Sequence, residues 1–160
     1  MDTNKIEKYM DELLEKSTPD RPIWNIEKIL QGKKSTWNYI DGCMIKAILE
    51  MYSITKNEKY FAFADNFIDH KVREDGSIDG YSVEELNIDN VNAGKTLFEL
   101  YDLTGKEKYR KAIDLVYSQI EQMPRTKEGN FWHKNIYPNQ VWLDGLYMCQ
   151  PFYMEYETRF

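Results

Sequence analysis

Apolar residues recur along this chain in two ways, and the difference sorts its helices. Ile6, Tyr9, Met10, Leu13 and Leu14 form one stripe at helical spacing across 4–16, and Phe61, Ala64, Phe67 and Ile68 repeat it across 57–71. With a third segment at 107–123, these predict amphipathic helices that keep one face in water. A second set, at 41–54, 90–103 and 144–158, is apolar over most of its circumference. Met44, Ile45, Ala47, Ile48, Leu49, Met51 and Tyr52 mark one member, and Leu146, Tyr147, Met148, Cys149, Phe152 and Tyr153 another. Helices of that kind are buried on more than one side.

The two sets alternate, and the alternation is a repeat. Leu49–Tyr60 (LEMYSITKNEKY) aligns with Phe98–Tyr109 (FELYDLTGKEKY) at an offset of 49 residues, with matching Glu, Tyr, Thr, Glu, Lys and Tyr. Each copy reads as a helix closed by Thr55 or Thr104, a short polar turn, and the start of the next helix. The starts of the apolar helices also recur as Ile40-Asp41-Gly42, Ile88-Asp89-Asn90 and Leu143-Asp144-Gly145. Three units at this period predict an all-α architecture in which buried helices form an inner ring inside an outer one, the layout of an (α/α) toroid. A ligand is then expected at the mouth formed by the inner-helix N-termini. Gly and Pro are sparse and scattered, so residues 1–160 read as one domain.

Composition removes several classes of function. At 160 residues, 42% hydrophobic and 14% aromatic, the chain can fill a core. A net charge of −6 argues against nucleic acid, which needs clustered Lys and Arg. The sequence holds no run of apolar residues long enough for a membrane span, and its polar N-terminus does not read as a secretory signal, so a cytoplasmic location is expected. Cys43 and Cys149 lack metal-ligand spacing and read as reduced, buried small hydrophobes. No metal and no cofactor is expected, because neither His133 nor His70 has a suitable helical ligand partner.

One stretch does not fit a packing role. Between Pro124 and Phe152, aromatics are mixed with Arg125, Lys127, His133, Lys134, Asn139, Gln140 and Asp144, a combination suited to gripping a polar ring. The connection to the last helix is roughly 20 residues, long for a tether. Trp37, Tyr39, Trp132 and Trp142 are candidates to stack on sugar faces, and Arg125, His133 and Lys134 are candidates to meet an acidic group. Against this stands a plain structural role: Asp41, Asp89 and Asp144 all lie at helix starts, where Asp is a favoured N-cap. His70 reads as a complement to a helix C-terminus, and Asp75-Gly-Ser as a tight turn.

The motifs WNYIDG at 37–42, DGSIDGY at 75–81, NIDN at 87–90, PRT at 124–126, GNFWHKNIYPNQVWLDGLYM at 129–148 and PFY at 151–153 together resemble the unsaturated rhamnogalacturonyl hydrolases of glycoside hydrolase family 105, relatives of the unsaturated glucuronyl hydrolases. The resemblance runs from about Trp37 to Phe160. It implies an (α/α)6 toroid of which three helix pairs are present, and a substrate that is an unsaturated uronic-acid oligosaccharide left by pectin lyases. It also implies hydration of a C4=C5 double bond. In that chemistry Asp144 would protonate C4 and help deprotonate the water that adds at C5. Asp89, if close, would be unable to ionise together with Asp144, leaving one carboxyl protonated. Tyr39, Arg125, Trp132, His133, Lys134 and Trp142 would bind the sugar.

Three pairs of six also predict an open flank, with Phe152, Tyr153 and Tyr156 exposed, that draws a second copy into a homodimer, and little hydrolase activity in 160 residues. A non-catalytic helical-repeat interaction or assembly module is the competing reading. It leaves the clustering of His, Trp and Asp on one loop without a purpose. A sugar epimerase on the same architecture would call for two His near the mouth, and only His133 is available.

Overall fold

The repeated corner folds the same way twice. Thr55 and Thr104 each donate a hydroxyl hydrogen bond back into the helix they close, to the carbonyls of Met51 (2.7 Å) and Leu100 (2.6 Å). The next residue, Lys56 or Gly105, takes a left-handed conformation (φ 56° and 67°), and its N–H returns to Tyr52 or Tyr101. The repeated Tyr and Glu join hydroxyl to carboxylate across the turn, Tyr52 to Glu58 and Tyr101 to Glu107. The second repeated Tyr reaches outward. Tyr60 hydrogen-bonds Asp11 and Tyr109 hydrogen-bonds Asp65, so each outer helix is tied to the outer helix before it.

The structure is a computed structural model that describes residues 3–160. Its helices are α1 (Thr3–Glu15), α2 (Ile26–Leu30), α3 (Tyr39–Thr55), α4 (Glu58–Lys71), α5 (Lys95–Thr104), α6 (Glu107–Gln122) and α7 (Leu143–Arg159). Among the described residues the only β pairing is three isolated bridges. The helices α1, α4 and α6 form the outer layer; α3, α5 and α7 form the inner one, with α3 packed on α5 and α4. The core between the layers holds Ile45, Ile48, Leu49, Phe67, Leu97, Phe98, Val116 and Phe152, all essentially inaccessible. None of the described helices is long and apolar enough to cross a membrane.

Four expectations change in detail. The inner segment expected as a helix over 90–103 starts as a 3-10 helix, Ile88–Gly94, and becomes α-helical only at Lys95. This thinner element wedges between α3 and α7: a β-carbon on Gly42 would lie 2.6 Å from the Ala93 nitrogen, and one on Gly94 would lie 3.0 Å from Phe152. The aspartates are not N-caps. Asn38 and Asn87 cap instead, accepting from the backbone N–H of Asp41 and Asp89, and α7 has Trp142 at its cap position with no side-chain bond. Asp41 is buried and accepts hydrogen bonds from Trp24, Ser35 and Asn38, with Lys71 at 3.6 Å. Cys149 is buried as expected, but Cys43 is only half-buried, its sulfur accepting from Asn92.

The fourth change is the open flank. Phe152 is fully buried against Phe98, and Tyr156 stacks on Tyr117 at 3.7 Å. The apolar residues of α7 that face solvent are Leu143, Leu146, Tyr147 and Met154. Trp37 is core too, its indole N–H donating to the Asn90 carbonyl.

Candidate functional site

The segment between α6 and α7 is shaped by its own backbone before it reaches the site. Arg125 pairs with Phe131 across a tight turn in which Gly129 has φ 90°. The Arg125 guanidinium donates to the Gly129 carbonyl (2.9 Å) and covers the Phe131 ring at 4.0 Å. Beyond the turn, the chain lies antiparallel to 86–88. The Ile88 N–H donates to the His133 carbonyl, the Asn135 N–H to Leu86, and the His133 N–H to Gln140. From the other side, the Gln119 amide of α6 donates to the Asn87 carbonyl.

That register places His133 and Lys134 beside Asp89. The Lys134 ammonium lies 2.7 Å from one Asp89 oxygen, and His133 Nε2 lies 3.5 Å from the other. Asp144, in the first turn of α7, completes the group: one atom each from Asp89, His133 and Asp144 lie mutually within 4.8 Å. His133 is 1% exposed, yet neither ring nitrogen has a hydrogen-bond partner among the described residues. Buried polar atoms are usually paired, so an imidazole left in this state beside two carboxylates makes the group the candidate ligand site.

Rings stack on the imidazole, while Asp144 is exposed. Trp142 stacks on His133 at 4.3 Å and 9°, and Tyr137 stacks on Trp142 at 5.4 Å and 11°. Gly145 makes room on the opposite side, since a β-carbon there would sit 3.4 Å from His133 Nδ1. The Trp142 N–H is held by the Gln140 side chain. Two carboxylates and an imidazole this close can pass protons to and from a bound molecule. Their atom types also suit a divalent cation, a possibility that pairwise spacing along a helix did not reveal because the three residues come from three segments.

Of the expected site residues, Asp89, His133, Lys134, Trp142 and Asp144 meet. Trp132 is half-buried next to them in the chain, with an indole N–H that is buried without a partner. Tyr39 stands exposed at the start of α3, and its carbonyl receives the Asn92 amide. Among the described residues, no hydrogen bond or ion pair joins Tyr39 or Arg125 to the carboxylates. Tyr137 and Gly145 escaped the sequence reading. Alternating aromatics pointed to the loop, but not to which ring stacks on which.

Residues 6–160 match the family model described as Glycosyl Hydrolase Family 88. The chain belongs to glycosyl hydrolase family 88. The unsaturated rhamnogalacturonyl hydrolase YesR of Bacillus subtilis strain 168 is 29% identical to this family-88 chain over 119 residues, which cover 71% of the chain and 33% of YesR. A glycoside hydrolase from family 105 of C. acetobutylicum ATCC 824 superposes with a TM-score of 0.76 at 47% identity, covering 83% of this chain and 38% of that structure. The resemblance read from the motifs is thus borne out, and the all-α arc is part of an α/α toroid. The family-88 chain spans only about a third of the length of these two relatives.

Proposed function

We propose that this part of the toroid, completed by the remaining helix pairs, hydrates unsaturated uronyl oligosaccharides derived from rhamnogalacturonan with Asp144 as the proton donor, and that the 160 residues alone turn over little. The observation that carries this reading is the convergence of Asp144, Asp89 and the unpartnered His133 within 4.8 Å, under the Trp142 and Tyr137 rings. YesR, a relative by sequence, is described as an unsaturated rhamnogalacturonyl hydrolase.

In the proposed reaction, the Asp144 carboxyl gives its proton to C4 as the C4=C5 π pair forms the new C–H bond. The positive charge left at C5 is met by a water oxygen, and the Asp144 carboxylate takes up the proton that water loses. The resulting hemiketal opens, and the neighbouring sugar leaves from C1. No proton is consumed, and Asp144 ends as it began. Asp89, held by Lys134 and 3.5 Å from His133, orients the water and keeps negative charge beside the developing cation. Trp142 supplies an apolar wall for the ring.

The test is loss of the enol-ether ultraviolet absorbance of an unsaturated galacturonyl disaccharide. In a full-length version with all six helix pairs, Asp144→Asn is expected to lower kcat by roughly 10²-fold or more, the scale of general acid–base catalysis, with unchanged helicity, because the Asp144 side chain is not the cap of α7. Asp89→Asn is expected to be severely impaired and to show an altered pH–rate profile. Near-normal kcat in Asp144→Asn would overturn the assignment.

A further inference from the structure

His133 and Asp89 stand apart in a way that a hydrogen bond does not explain. Between an imidazolium and a carboxylate such a bond closes to about 2.7–2.9 Å, whereas His133 Nε2 lies 3.5 Å from Asp89 Oδ1. Both atoms are buried, and neither has a hydrogen-bond partner among the described residues. The other Asp89 oxygen is the one that Lys134 engages, at 2.7 Å. The spacing is that of two ligands on one metal ion: bonds of about 2.0–2.2 Å in a tetrahedral shell set neighbouring donor atoms about 3.3–3.6 Å apart.

Asp144 supplies a third ligand. One atom each from Asp89, His133 and Asp144 lie mutually within 4.8 Å. Asp144 is exposed in the first turn of α7, so rotation of its side chain closes the remaining gap without moving the backbone. The second ring nitrogen is provided for as well. A β-carbon on Gly145 would stand 3.4 Å from His133 Nδ1, and Gly145 and His133 line a cavity of about 20 Å³ with Asn130 and Gln150. That is room for one water, a partner that a ligating histidine takes on its outer nitrogen and that leaves the Nε2 lone pair for the metal. Two carboxylates against the single Lys134 ammonium keep the group net negative with the imidazole neutral. One imidazole and two carboxylates, with a fourth position open, suit Zn²⁺ and its first-row neighbours, whereas Ca²⁺ and Mg²⁺ call for more oxygen ligands.

We propose that Asp89, His133 and Asp144 bind a divalent transition metal of the zinc type, and that its binding shuts the site off as a proton donor. The second half rests on the function proposed above. As the metal–oxygen bond forms, the Asp144 carboxyl releases its proton to solvent, and a carboxylate held by the ion has none to give to C4.

Calorimetric titration of Zn²⁺ into the untagged 160-residue chain at pH 7 is expected to show one ion bound per chain and a raised melting temperature, while Mg²⁺ gives neither. Asp144→Asn and His133→Ala are each expected to weaken Zn²⁺ binding at least about 10- to 100-fold, the scale on which loss of even an outer-shell partner is felt. Asp144→Asn decides alone if His133→Ala lowers the metal-free melting temperature, because the exposed Asp144 side chain caps nothing. His70→Ala, which removes the chain's other histidine and its contact with Asp20, is expected to bind as wild type does. No binding, binding unchanged in Asp144→Asn, or binding lost in His70→Ala would overturn the site. In a full-length version with all six helix pairs, Zn²⁺ is expected to stop the loss of enol-ether absorbance and a chelator to restore it. Hydration at full rate with Zn²⁺ bound overturns the inhibition; Zn²⁺ bound at these residues in a protein that never hydrates the substrate refutes the reaction and upholds the metal site.

Discussion

At the scale of single residues, Gly42 shows how tightly the inner ring is built. A β-carbon there would meet the Ala93 nitrogen at 2.6 Å and its Cα at 2.7 Å, both backbone atoms that cannot swing aside. Gly42→Ala is therefore expected to destabilise the fold by about 1–3 kcal/mol, the range for overpacking, seen as a lower urea midpoint with unchanged slope. Gly145, at the matching position in the third unit, meets nothing closer than 3.4 Å, so the same change there costs less stability and presses instead on His133. The sequence shows the same Asp-Gly pair at both places, and nothing in it distinguishes the two. The carboxylates were legible because their motif repeats. How the cations are engaged was not, because Lys134 meets Asp89 and Lys95 meets the Tyr147 carbonyl, partners far away in the chain.

At the scale of elements, the outer helices are joined by charge as well as packing. The Lys106 ammonium lies 2.7 Å from both Asp65 and Asp69, and Lys108 lies 2.9 Å from Asp69, linking the start of α6 to α4. Burial pushes the Asp69 carboxyl up, but the hydrogen bonds and charges of Lys106 and Lys108 outweigh it and hold the carboxyl below its usual value of 3.8. A depressed carboxylate contributes stability that is present above its unfolded value and lost as pH falls through the folded one. Urea unfolding at pH 7 and pH 3 is expected to show a drop in stability on acidification, and Lys106→Met to be less stable at pH 7 with a smaller drop. A drop of equal size in both proteins would assign the acid sensitivity elsewhere. The corners were readable because each rests on Thr, Tyr and Glu close together in the chain. The 3-10 form of 88–94 was not, since it follows from tertiary contacts of Gly42 and Gly94.

At the scale of the whole molecule, the inner helix α7 turns Leu143, Leu146, Tyr147 and Met154 to solvent, where a helix is ordinarily polar. Leu143 is 85% exposed and Met154 58%. Contiguous patches of this kind promote association. We propose that two copies of the 160-residue chain meet through this face, and sedimentation is expected to show a concentration-dependent dimer that Leu143→Glu/Leu146→Glu abolishes. A wild-type monomer at every concentration would refute it. The site itself is held by much lighter means than the rings. His133 and Lys134 are joined to the Asp89 segment by one bridge and two backbone hydrogen bonds, backed by Gln119 and by the stacking of Trp142 on His133. Were those few bonds to open, both residues would leave together, so the fraction of molecules with an assembled site is expected to follow a local unfolding equilibrium rather than global stability. A change at Gln119 would then scale the number of competent molecules while leaving each competent one as fast as before.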